Sequence, residues 1–289
     1  MKKKLFLVMT VLALCAALSF GQETIKGMSL NGSTGLIATP TAQIGWERSA
    51  DIGLDFGYDF VHGKRDNYQA QPGSYNTHIP KVAVSLFKKA EIAVAYDSMN
   101  QLKNPATDPY SILVNGKFQF YKEGSSAVAV GGNLQFLRDI PTSINGDNYT
   151  AGQLYVAATY SGQFFNWPAA TTLVVGKTFA NKKLYLGSGG GHNGTQDIDL
   201  SMGFELSLLP QYLKNYVQWI NDFSNYSYSA GFTPAGSFPL YRGSFNTGVR
   251  IDPMKGSQYK FVIDAIATDV LDKGDRAFVL GICFGMAIK

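Results

Sequence analysis

Residues 276–288 read Arg-Ala-Phe-Val-Leu-Gly-Ile-Cys-Phe-Gly-Met-Ala-Ile. Successive side chains of an extended strand point to opposite sides. Phe278, Leu280, Ile282, Phe284, Met286 and Ile288 therefore share one face, and Ala277, Val279, Gly281, Cys283, Gly285 and Ala287 share the other. One face is bulky and apolar, and the other has almost no side-chain volume. This is the form in which a membrane β-barrel closes, with lipid on one side and a lumen on the other.

Working back from this stretch, the same two-faced pattern recurs and gives twelve predicted strands in all. In the first, Ile52, Leu54, Phe56, Tyr58 and Phe60 alternate with Asp51, Gly53, Asp55, Gly57 and Asp59. In the eighth, Ile198, Leu200, Met202, Phe204, Leu206 and Leu208 oppose Asp197, Asp199, Ser201, Gly203, Glu205 and Ser207. The others fall near residues 81–87, 91–99, 111–121, 127–137, 153–161, 171–179, 216–224, 244–252 and 259–267. Leu173-Val174-Val175 blurs the register of the seventh, and the ninth is irregular.

The predicted connections alternate in length. Long polar loops cover 62–77, 100–108, 138–150, 180–196 and 225–242, whereas 88–90, 122–124 and 253–256 are tight turns. The short connection at 269–274 is the exception. Short periplasmic turns and long outer loops mark transmembrane barrels, and an even strand count returns both ends to the periplasm.

A soluble sandwich produces the same alternation, but three features favour the membrane. About 11 residues at about 3.3 Å each, tilted near 40°, cover an apolar band about 25 Å tall. The second faces carry many Gly, Ala and Ser. Tyr58, Phe60, Tyr96, Tyr110, Phe120, Tyr121 and Tyr259 sit near predicted strand ends, where an aromatic girdle belongs. The expected fold is an all-β, antiparallel up-and-down transmembrane β-barrel of twelve strands over residues 50–289.

The N-terminus sets the compartment. Lys2, Lys3 and Lys4 precede an apolar run from Leu5 to Leu18, and Ser19-Phe20-Gly21 offers small residues before a cut at Gln22. Residues 1–21 read as a cleaved signal peptide. Their loss removes three lysines and no acid, taking the formal charge from +4 to +1, so no nucleic acid or other polyanion is implied as partner. The expected localisation is the bacterial outer membrane, with its lipid as one partner.

Catalytic and metal motifs are absent. His62, His78 and His192 all fall in predicted outer loops, with no nucleophile elbow or zinc spacing. Gly189-Gly190-Gly191-His192-Asn193-Gly194 fits G-x-G-x-x-G but opens no helix in a βαβ unit. Asp197 and Asp199 lack a full cation-ligand set. Cys283 lies on the small face and reads as packing. No enzyme, metal or cofactor is expected.

Before the first strand, Ser33-Thr34-Gly35-Leu36-Ile37-Ala38-Thr39-Pro40-Thr41-Ala42 resembles the start of the YjbH-like outer-membrane barrels. That resemblance implies an association with production or export of extracellular polysaccharide. Gly281, Phe284 and Met286 likewise resemble the terminal signal read by barrel-assembly machinery, with Lys289 where an aromatic is usual.

Pro40 cannot donate to a sheet ladder, so residues 22–49 are expected as a periplasmic lead-in or a lumen segment. Thr34, Thr39, Pro40 and Thr41 are candidates for narrowing the pore. Candidate lumen-facing polar residues are Asp51, Asp55, Asp59, Lys81, Lys117, Glu205, Arg250, Lys260 and Asp264, set either to tune a pore or to fill it with salt bridges. The expected function is passive passage or export of a small polar solute or glycan. The alternatives are a structural or adhesive barrel acting through its outer loops and, more remotely, an outer-membrane hydrolase.

Overall fold

The computed structural model describes residues 24–46, 51–65, 73–101, 110–138, 149–180, 198–225, 244–255, 258–271 and 276–288. The predicted signal peptide, the run at 189–194 with His192, and the tips of the five long loops lie outside the described residues.

Twelve strands form: β1 (Ile52–Arg65), β2 (Gly73–Leu86), β3 (Ala90–Gln101), β4 (Tyr110–Glu123), β5 (Ser126–Arg138), β6 (Tyr149–Phe164), β7 (Trp167–Ala180), β8 (Asp199–Ser207), β9 (Val217–Ser224), β10 (Ser244–Ile251), β11 (Tyr259–Thr268) and β12 (Ala277–Ile288). Each pairs antiparallel with its sequence neighbours, and β1 pairs with β12 to close the barrel. That seam runs from Ile52 opposite Ile288 to Gly63 opposite Ala277. Closure leaves no strand edge unpaired, as a structure in hydrocarbon requires.

The burial pattern is inverted relative to a soluble sheet. Phe56, Leu280 and Ile282 are 50%, 49% and 52% exposed, whereas Asp55, Asp59 and Glu91 are 0%, 4% and 1% exposed. Apolar side chains face out around the whole barrel and charged ones face in. Such a surface is stable only against lipid. In the seventh strand Leu173 and Val175 point out and Val174 points in, which settles the register that the sequence blurred.

Several predicted boundaries move. The loop expected over 62–77 is shorter, because β1 and β2 stay paired out to Arg65 opposite Gly73. The apolar alternation has ended there, but backbone pairing continues on polar residues. Tyr58 and Phe60 consequently lie within β1 rather than near its end. His62 and His78 lie on strands, not in loops: His62 Nδ1 is 2.8 Å from Asn76 Oδ1, and His78 Nδ1 is 2.6 Å from Tyr58 Oη. The connection between β6 and β7 shrinks to Phe165 and Asn166 at φ 49° and 64°, the left-handed pair of a tight hairpin. In β4 the register slips between Gln119 and Tyr121, so Phe120 and Tyr121 both point outward. Between β8 and β9 the chain forms a single turn of helix, α1 (Pro210–Leu213). Among the described residues no helix is long and apolar enough to cross a membrane.

Candidate functional site

Residues 24–46 run inside the barrel, and all but a few of their side chains are buried. The segment folds on itself through isolated bridges, Met28 with Thr34 and Gly35 with Pro40. Short backbone bonds support them, including Leu30 N to Ile37 O at 2.8 Å and Leu36 N to Thr39 O at 2.9 Å. Proline thus takes part in a bridge without entering a ladder.

The wall holds this segment mainly by its main chain. On the β3–β4 side, Glu91 accepts from Thr34 N (2.6 Å), Thr34 Oγ1 (2.5 Å) and Gly45 N (3.2 Å), and Lys117 Nζ donates to Thr34 O (2.9 Å). On the opposite side, three consecutive amides, Ile37, Ala38 and Thr39, donate to Asp222 Oδ2 at 3.1, 2.7 and 2.8 Å. Successive N–H groups converging on one oxygen form an anion nest, here filled by a carboxylate of β9. Arg250 donates to Gly35 O (2.8 Å) and Leu36 O (3.1 Å). Asn115 donates to Asn31 O, Lys81 to Ser29 O and Gln119 to Ala42 O. Trp46 Nε1 donates to Asp55 Oδ1 at 3.1 Å, and Lys260 Nζ lies 5.2 Å from the Trp46 ring centre.

Close approach is possible because wall glycines face the segment. A Cβ on Gly53 would collide with the Trp46 indole, and one on Gly203 would collide with Leu36. The tip residues Leu36 and Ile37 pack into an apolar layer with Val61, Ile79, Leu113, Ile266 and Val279. Nearer the periplasmic end, Ile25 and Met28 cover Cys283 together with Ala83, Ala93 and Val262.

Four buried ion pairs line the wall: Lys81 with Asp59 at 2.5 Å, Lys117 with Glu91 at 3.5 Å, Lys260 with Asp55 at 2.8 Å, and Arg250 with Asp264 at 2.9 and 3.0 Å in a two-pronged arrangement. Glu205 is buried on the same inner surface. Asp51 is placed differently. It precedes β1, is exposed, and lies 3.4 Å from exposed Lys88 at the rim, because the strand pairing begins only at Ile52. At that rim Asp252 is held in the turn after β10, where burial raises its carboxyl above the ordinary range against the N–H of Met254.

Thr34, Thr39, Pro40 and Thr41 are all buried in the lumen. Thr41 Oγ1 donates to Thr34 O (3.4 Å), while Thr39 Oγ1 has no partner among the described residues. Asp199 accepts from Gln153 (2.9 Å) and Thr178 (2.6 Å). Sequence reasoning missed Glu91, Asp222 and Trp46. Glu91 was legible, since it falls on the face opposite Ile92, Val94 and Tyr96. Asp222 was not, because in β9 Ile220 points in and Asn221 points out, reversing the polarity rule beside it.

No protein-family model matches this sequence, and no curated protein sequence matches it. Among solved structures, the chain is similar to the KdgM porin in complex with disordered oligogalacturonate, at 8% identity over 81% of this chain and 99% of that one, TM-score 0.43. It is also similar to the translocator domain of autotransporter NalP from Neisseria meningitidis, at 10% identity, 82% and 89% coverage and TM-score 0.48. A third is an outer membrane channel from Pseudomonas putida F1, at 9% identity, 86% and 99% coverage and TM-score 0.47. At such scores the likeness adds nothing to the assignment, which rests on the closed pairing and the inverted burial. The chain is an outer-membrane β-barrel. Its lumen is occupied by its own N-terminal segment.

Proposed function

We propose that this barrel is a gated passive channel or export pore for small polar solutes or a glycan, with residues 24–46 as the gate and Thr34, Thr39, Pro40 and Thr41 at its constriction. One observation carries the reading: beside its apolar layers, the wall meets the segment's main chain with buried charged and polar side chains, a set of directional, exchangeable hydrogen bonds. A barrel that needed only a filled core would be served by apolar packing, since buried ion pairs contribute little net stability over hydrophobic substitutes. The resemblance of residues 33–42 to the YjbH-like barrels supports a glycan among the solutes, and insertion by barrel-assembly machinery through β12 belongs to the same proposal.

The test is planar-bilayer conductance of the refolded chain beside a Leu36→Asn/Ile37→Asn variant, which weakens the apolar seat of the tip. Rare openings in the parent and frequent ones in the variant are expected. A second reading is favoured by the number of wall groups that the segment engages: a permanently closed structural or adhesive barrel working through its outer loops. Silence of both forms, each shown to be folded by its heat-modifiable gel mobility, would establish that reading in place of the channel.

A further inference from the structure

We infer that the outer face of β7–β10 is a contact surface for a second copy of this chain, centred on Asn221 and independent of whether the barrel conducts. The first observation is a row of polar side chains turned toward hydrocarbon. Thr171 on β7 lies opposite Phe204 on β8, Phe204 opposite Asn221 on β9, and Asn221 opposite Thr247 on β10. All four point outward, and none is buried. Asn221 stands four residues from the periplasmic end of β9 and three from its outer end, between Trp219 and Phe223 on the same face. Thr247 Oγ1 accepts from Trp219 Nε1 at 2.8 Å. The Asn221 amide has no side-chain hydrogen bond among the described residues. Hydrocarbon offers neither donor nor acceptor, so a bare amide at that depth is costly. A second Asn221 removes the cost. A primary amide donates through Nδ2 and accepts through Oδ1, and across a twofold axis two of them exchange a pair of N–H···O bonds. A different membrane protein would have to carry its own matched group, whereas a second copy brings one by symmetry.

The second observation is the shape of this wall. Phe164, Phe204 and Trp219 meet edge to face beside the polar row, with 5.9 and 6.4 Å between successive ring centres. They form a stiff aromatic surface of the kind enriched in protein interfaces. β8 and β9 have 9 and 8 residues, against 16 and 14 in β6 and β7. At about 3.3 Å per residue and a tilt near 40°, eight residues reach about 20 Å of an apolar band about 25 Å tall. A spanning surface shorter than the hydrocarbon around it is relieved by association with another protein surface. The short strands and the bare amide thus fall on the same side of the barrel.

The experiment is sedimentation equilibrium of the full-length chain in density-matched detergent micelles, with folding of every form checked by heat-modifiable gel mobility. A monomer–dimer equilibrium is expected. Asn221→Leu, which suits a lipid-facing position, should weaken the association at least about tenfold, and Asn221→Gln, which keeps the amide, should retain most of it. Cysteine cross-linking in phospholipid vesicles locates the contact without relying on the leucine variant. In a Cys283→Ser background, mild oxidation should join two copies of Asn221→Cys and leave Leu134→Cys, on the lipid face of β5, monomeric. A parent that is monomeric at every concentration and gives no cross-link has this face covered by lipid, and that result overturns the inference. A dimer that Asn221→Leu leaves at full strength, or one that cross-links through Leu134→Cys instead, overturns it equally.

Discussion

At the scale of single residues, the lumen is held by side chains that read backbone. Asp222 is the clearest case, because one oxygen satisfies three consecutive amides that have no other described acceptor. Leaving a buried donor unsatisfied costs about 1–3 kcal/mol. Asp222→Ala should therefore loosen residues 36–39, and hydrogen exchange of those amides should rise by at least about tenfold, the equivalent of about 1.4 kcal/mol. Unchanged protection would show that the tip is held by Leu36 and Ile37 alone. Arg250 joins Asp264 to the carbonyls of Gly35 and Leu36. Removing one member of a buried pair strands the other, at about 3–5 kcal/mol. Arg250→Ala should lower barrel stability in urea by about that amount, and Arg250→Met with Asp264→Leu should restore most of it, since a matched apolar pair is often no worse than the ion pair. Arg250 and Asp264 were visible as inward residues, and Asp222 was not. Nor was it visible that Arg250 and Asp222 meet main-chain atoms of residues 35–39, since a strand's alternation says which way a side chain points and nothing about what it touches.

At the scale of elements, each strand carries a lipid face and a lumen face, and the two tolerate different changes. Ile282 on β12 is 52% exposed at the centre of the apolar belt. An arginine facing lipid at mid-depth costs about 2–4 kcal/mol. Ile282→Arg should reduce folding into vesicles by that amount, read by equilibrium urea titration, whereas Ala287→Ser on the other face of the same strand should be nearly neutral. Equal effects would contradict the assignment of faces. Strand identity was legible for all twelve elements because the alternation is long enough to outlast local noise. The ends were less so: β1 and β2 pair past the last apolar residue, the bulge at Phe120 inserts a residue without changing polarity, and α1 forms between Leu209 and Lys214, which adopt left-handed backbone at φ 42° and 48°. Backbone pairing and local φ decide these features, and side-chain polarity does not record them.

At the scale of the whole molecule, the barrel encloses its own N-terminal segment, and Cys283 reports on their contact. It is buried under Ile25 and Met28 on the lumen side of β12. A water-soluble maleimide should label it slowly in the parent, and at least about tenfold faster in Leu36→Asn/Ile37→Asn, consistent with about 1.4 kcal/mol less closure. Equal rates would mean that the tip variant leaves the lower segment seated. By itself the sequence determined that the chain is an all-β barrel with apolar side chains outward, because a period of two over long strands, with charge on one face and aromatics on the other, has few stable solutions in an envelope protein. Only the tertiary structure decided where residues 24–46 go. That segment has no periodicity, and what fixes it is a set of wall groups from β1 to β11, far apart in sequence, which closure of the barrel brings around one short stretch of backbone.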